Sequence, residues 1–123
     1  LPEHSAEICV CEIFGSDVSP GSARIGVGVH PHQDPAVRDE FEQVELPIDV
    51  TTFHDYAAEW TPDDITFFID GKLVKRVAQA IAYPMQFMLG LYEFPAHSGS
   101  EADEERYPKR ASVAWVRGYR YLG

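Results

Sequence analysis

Glu7-Ile8-Cys9-Val10-Cys11-Glu12-Ile13-Phe14-Gly15 is the stretch whose reading decides the fold of this chain. Ile8, Val10, Ile13 and Phe14 are residues that fit a half-buried pleated surface, so the run reads as a strand over 6–14. A carboxylate in such a strand is costly unless it has a partner or a task, and this strand carries two, Glu7 and Glu12. Side chains alternate with period two, which puts 7, 9 and 11 on one face and 12 on the other. A β-bulge adds one residue and returns Glu12 to the face of Glu7. Five residues span about 16 Å, somewhat less with a bulge. Two side chains leaning together close towards about 5 Å, the carboxylate separation of retaining glycosidases. Spacing alone leaves the plainer alternative open, two surface glutamates beside an edge strand, because Glu-x-x-x-x-Glu is a weak pattern.

Further along, the chain reads as a succession of short strands. Arg24 to His30 forms a second strand after a turn over Gly15 to Gly21, and Pro31 to Arg38 is a loop. Phe41 to Leu46 reads as a short strand, Phe53 to Trp60 and Ile65 to Ile69 as clear ones. Asp70-Gly71 is a two-residue hairpin signal from which Lys72 to Val77 returns. Met85 to Tyr92 reads as a buried strand, His97 to Pro108 as a polar, acidic loop, and Val113 to Tyr121 as the closing strand. Many short strands, no internal repeat and no convincing amphipathic helix indicate an all-β sandwich.

Several of these segments carry a resemblance. Glu7-Ile8-Cys9-Val10-Cys11-Glu12 resembles the bulged catalytic strand Glu-Ile-Asp-x-x-Glu of glycoside hydrolase family 16. His54-Asp55-Tyr56-Ala57-Ala58-Glu59-Trp60 resembles that family's His-x-Tyr-x-x-Glu-Trp strand, and Ile65 to Lys72 the hairpin after it. Tyr83-Pro84-Met85 and Ser112 to Tyr119 resemble its later strands, in the right order. The resemblance implies a concanavalin A-like β-jelly-roll sandwich, with 1–123 as a single segment from the C-terminal half of a catalytic domain. It implies retaining hydrolysis or transglycosylation of a β-linked polysaccharide such as a β-1,3- or mixed-linkage glucan. Glu7 would be the nucleophile and Glu12 the acid/base. Cys9 stands at the supporting position where the family has Asp, so a catalytically weak or inactive carbohydrate-binding protein is the alternative reading. The bulged spacing is similar to the laminarinase-type branch. An Asp that binds calcium in many members is replaced by Ala114, so no metal and no cofactor are expected. Secretion is expected from the resemblance alone.

Length and composition bound these expectations. Sandwiches commonly need ~200–250 residues, and this chain has 123. Half a sandwich would expose the inner face and edges of its sheets. The chain is therefore expected to be part of a longer protein, to assemble with a missing N-terminal half, or to fail to fold alone. Hydrophobic residues at 45% exclude a disordered chain. No apolar run approaches the ~18 residues that span a bilayer. A formal charge of −10 argues against nucleic acid and anionic membranes as partners. Lys109 and Arg110 are too few for a basic patch. Cys9 and Cys11 are too close along an extended strand for a relaxed disulfide and read as reduced thiols.

Other residues are weighed on their positions. His30 ends the strand after the catalytic one, where it could bind sugar or the catalytic carboxylates, or cap the strand end. Tyr92, with Glu93 and Phe94, could form a cleft rim that binds substrate. His32 and His54 read as solvated. Trp60 and Trp115 fall inside strand motifs, which favours core packing over sugar stacking. The acidic run Glu101 to Glu105 reads as a solvated loop.

Overall fold

A computed structural model describes residues 4–94 and 108–122. It is all-β, apart from one short 3-10 turn over Gly15–Asp17. Seven strands lie in residues 1–83: β1 (Glu7–Glu12), β2 (Val18–Ser19), β3 (Ser22–His30), β4 (Glu42–Leu46), β5 (Tyr56–Trp60), β6 (Ile65–Ile69) and β7 (Lys72–Val77). They form two antiparallel sheets.

The first sheet is built around β3. Ala23 pairs with Val18 on one edge and Leu46 on the other. Gly26 likewise pairs with Glu12 and with Gln43. β4 therefore holds one edge of β3, and β1 and β2 follow one another along the opposite edge. The second sheet runs β5-β6-β7. β3 lies against β7 and β1 against β5. The core forms between the sheets: Ala23, Ile25, Val27 and Val29 from β3, Ile65, Phe67 and Ile69 from β6, and Val77 from β7 are buried. Period-two alternation follows from that burial. The odd residues of β3 face the core, and Arg24, Gly26, Gly28 and His30 face the other side of the sheet.

The hairpin β6–β7 turns at Asp70-Gly71, as its sequence predicts. Ile69 pairs with Lys72, and both turn residues have positive φ, 50° and 73°. That is the geometry a right-twisted two-residue hairpin requires and which Gly and Asp tolerate. His54 closes this end of the sheet. Its Nδ1 donates to Asp70 Oδ2 at 2.8 Å, and its Nε2 lies 2.9 Å from the Asp49 carbonyl. Both ring nitrogens face acceptors, which favours the imidazolium. The Asp70 carboxylate, followed by the Asp49 carbonyl, raises the His54 pKa above the ordinary histidine value. The sequence reading of His54 as solvated is therefore corrected. Its side chain is 14% exposed, and it ties the 49–52 turn to the hairpin.

Two other expectations are corrected. Met85 to Tyr92 and Val113 to Tyr121 form no strand. Phe87, Met88, Leu89, Leu91 and Tyr92 are all more than 60% exposed. An apolar run becomes a strand only where a sheet edge supplies hydrogen-bond partners and a second layer covers it. Among the described residues neither segment joins an edge of either sheet. They belong to a separate unit, 84–123, in which the Arg117 guanidinium lies 4.7 Å from the Trp115 ring centroid. Trp115, at 53% exposed, is thus not a core residue. The acidic run 101–105 lies outside the described residues.

The His54 clamp makes stability depend on pH. Its folded pKa is raised, so its contribution is complete below the unfolded value of about 6.5 and is lost as pH rises through the folded value. Urea unfolding midpoints are expected to fall across that interval, with a smaller fall in His54→Gln. Equal slopes in the two proteins would remove His54 as the cause.

Candidate active site

The face of β3 turned away from the core carries the acidic pair, and the register of β1 explains how. Glu7 pairs with His30, Ile8 with Val29 and Cys9 with Gly28, but Glu12 pairs with Gly26. Three residues advance on β1 while two advance on β3. One extra residue therefore lies between Cys9 and Glu12, the two-against-one count of a β-bulge. Residues 26, 28 and 30 share one face of β3, so their partners Glu12, Cys9 and Glu7 share it too. Without the register shift, Glu12 would oppose Ile25 and point into the core.

Cys9 lies between the two carboxylates on that face and is 7% exposed. Burial, followed by the Glu7 and Glu12 charges, pushes its thiol pKa up to about 12. Cys9 is thus a neutral group at neutral pH. Its Sγ is directed at the Gly26 carbonyl, at 3.8 Å, a weak hydrogen bond.

The segment 38–41 crosses this face and shapes it. Glu40 N–H donates to the Val29 carbonyl at 3.0 Å, extending the β3–β4 ladder. A Cβ on Gly28 would collide with the Glu40 carbonyl and the Phe41 backbone, and one on Gly26 with the Phe41 ring. Phe41 stacks on His30 with ring centroids 4.4 Å apart. His30 Nδ1 lies 3.3 Å from Asp39 Oδ1, and the Phe41 N–H donates to the same oxygen at 3.3 Å. The segment is pinned from behind by the buried Gln79. That side chain accepts from Arg38 N–H at 2.9 Å and donates to the Arg38 carbonyl at 2.8 Å.

The candidate residues fall into two groups. Glu7, Cys9, Glu12 and His30 come together on one face. His30, expected at the sugar or the carboxylates, has its imidazole turned to Asp39. Tyr92 lies in the 84–123 unit, exposed, with its ring 6.5 Å from that of Phe94. Trp60 is anchored structurally: its Nε1 donates to the Ile81 carbonyl at 3.0 Å. His32 is solvated, as its sequence reading expects, with its side chain 45% exposed, and its Nε2 also lies 3.0 Å from Glu7 Oε2. Reading the residues one by one missed His32 and Phe41. The signal for His32 was its place two residues after His30, the partner of Glu7 in the ladder; nothing in the sequence singled out Phe41. Among the described residues no group of three or more His, Cys, Asp or Glu is placed to hold a metal ion.

Comparison with known proteins gives the family of the chain. The model of glycosyl hydrolases family 16 matches residues 6–117. The chain belongs to glycosyl hydrolase family 16. A Crh-like protein of Candida albicans, CRH12, is 28% identical over 112 residues, which cover 91% of this chain and 20% of that protein. A beta-glucanase of Rhodothermus marinus is 28% identical over 93 residues, which cover 64% of this chain and 32% of that enzyme. The chain thus spans between a fifth and a third of the length of these relatives. No solved structure matches it. The all-β antiparallel sheets are consistent with the jelly-roll fold of family 16.

Gly28 tests how tightly this face is built. Its φ of 137° and the Glu40 carbonyl both resist a side chain. Gly28→Ala is expected to destabilise by about 2 kcal/mol or more, measured by urea unfolding. A loss under about 0.5 kcal/mol would show that segment 38–41 yields freely.

Proposed function

We propose that this chain carries the catalytic carboxylates of a retaining glycoside hydrolase or transglycosylase. The proposed substrate is a β-linked polysaccharide such as a β-1,3- or mixed-linkage glucan. The observation that carries the reading is the one-residue bulge, which turns Glu7 and Glu12 to one face with a neutral Cys9 between them. The family match and the beta-glucanase relative support the substrate class.

In this reading the Glu7 carboxylate attacks the anomeric carbon as the glycosidic C–O bond breaks. Glu12 gives its proton to the departing oxygen. Glu12 then takes a proton from water, or from an acceptor sugar hydroxyl, whose oxygen displaces Glu7 and restores the original anomeric configuration. An acidic face suits this chemistry, because a glucan brings no charge to repel and the transition state develops positive charge at the anomeric carbon. His30 and Tyr92 are proposed to contact the substrate.

A second reading, carbohydrate binding with little turnover, is favoured by Cys9. A buried neutral thiol offers the nucleophile no fixed charge and only a weak donor.

Glycan hydrolysis by the full natural chain, with Glu7→Gln as control, separates the two. Product is expected from the wild type, with a loss of about a thousandfold or more in kcat for the variant. Binding to β-glucan without product in either protein would establish the second reading.

A further inference from the structure

We infer that His32 is the positioning residue for Glu7: it holds one carboxylate oxygen so that the other is presented to the substrate. The inference rests on the proposed catalytic role of Glu7.

Three observations meet at this side chain. The first is the contact itself. His32 Nε2 lies 3.0 Å from Glu7 Oε2, across 25 residues of sequence. An ionised carboxylate only accepts hydrogen bonds, so Nε2 is the donor in the reactive state.

The second is the backbone. Among the described residues only His32 and Asp70 have positive φ without being glycine, His32 at 38°. Asp70 belongs to the Asp-Gly hairpin, which demands that conformation. His32 is the second residue of a β-turn over 31–34, closed by Asp34 N–H to the Pro31 carbonyl; histidine is among the non-glycine residues that take up the left-handed region, and the turn sets the direction in which its imidazole leaves the backbone.

The third is that the loop is fixed to the strand it serves. Gln33 N–H donates to the Ser5 carbonyl at 3.0 Å, two residues before Glu7. Asp34 N–H donates to the Pro31 carbonyl at 2.6 Å, and Asp34 Oδ1 accepts from Ala36 N–H at 2.9 Å. The imidazole is therefore delivered to Glu7 by a loop tied on one side to β1 and on the other to the end of β3.

Position 9 leaves this task open. The Cys9 thiol is directed at the Gly26 carbonyl, so its proton is turned away from Glu7. A carboxylate half exposed to water and held by nothing would sample several rotamers, few of which aim an oxygen at an anomeric carbon. With Nε2 on Oε2, Oε1 is left free to attack. In the glycosyl-ester that follows, the same N–H remains on the carbonyl oxygen. In this role His32 acts through Glu7 rather than on the sugar.

Three variants of the full natural chain test this against soluble β-glucan. Glycine fits φ of 38° without strain, so His32→Gly removes the imidazole while keeping the loop. It is expected to leave Tm within about 3 °C of wild type. Its kcat should fall by about ten- to a hundredfold, the value of a hydrogen bond to a charged group, with KM changed less than about threefold. His32→Gln, whose amide N–H can reach the same oxygen, is expected to recover most of the loss. Glu7→Gln reports the underlying role of Glu7. Wild-type turnover that depends on Glu7 but is unchanged in His32→Gly overturns the inference and leaves the proposed function standing. A loss in His32→Gly that follows a fall in Tm and is not recovered by His32→Gln gives His32 a purely structural role and also overturns it. Absence of turnover in the wild type overturns both.

Discussion

A single extra residue between Cys9 and Glu12 is the constraint on which the rest of this structure depends. A strand has two faces, and here they have opposed requirements. One packs Ile25, Val27 and Val29 of β3 against the β5-β6-β7 sheet, where an unpaired carboxylate would cost several kcal/mol. The other is polar and partly open. An unbulged strand with Glu at 7 and 12 would satisfy one glutamate and strand the other. The shift from Cys9↔Gly28 to Glu12↔Gly26 resolves the conflict without moving either hydrophobic layer. The same two glycines let segment 38–41 lie directly on the sheet beside the acids. Bulge, glycines and crossing segment are therefore one device: each is tolerable only because the others are present.

Much of this was legible in the sequence wherever the determining chemistry is local. Asp70-Gly71 names its own turn, since few residue pairs accept positive φ twice in succession, and β6 and β7 follow with the bounds their alternation suggests. The bulge was legible because two acids five apart make sense in a strand only if the register slips. His32 and His54 were not, because their partners are set by chain reversals. His54 reaches Asp70 through the β5–β6 pairing, in which Tyr56 opposes Ile69 and the residues just beyond are brought together. His32 reaches Glu7 because Pro31 ends β3 and turns the next side chain back across its neighbour. The segments 85–92 and 113–121 failed in the opposite way. Hydrophobicity states that a segment gains by burial, but a strand also needs an edge to pair with, and composition does not report whether one is available.

His54 and His32 act on similar physics for different ends. Each presents a ring nitrogen to a carboxylate, Asp70 at 2.8 Å and Glu7 at 3.0 Å. His54 is 14% exposed and is engaged at both nitrogens, so its charge serves the fold and its removal loosens a turn. His32 is 45% exposed, on a loop whose hydrogen bonds are made by backbone groups of Gln33, Asp34, Ala36 and Val37 rather than by the imidazole itself. The backbone of its turn is closed by Asp34 N–H on the Pro31 carbonyl, and its imidazole is turned outward to Glu7. That contrast separates a histidine that stabilises from one that positions.

Cys9 shows why the positioning of a carboxylate can move from one element to another. A group beside the nucleophile can act by charge, by hydrogen bonding or by filling space. With a thiol pKa of about 12, Cys9 has no charge to offer at neutral pH, and its weak donor is turned to Gly26. What it keeps is volume: it is buried on the sheet surface between Glu7 and Glu12. The directional part of the task must then come from a side chain that reaches the carboxylate from outside the strand. The loop following β3 is well placed for this, because β3 is the strand paired with Glu7 and its end lies opposite that residue. The thiol at position 9 and the histidine in the turn after β3 thus belong to one arrangement, in which β1 supplies the acids and the turn out of its partner strand reaches Glu7.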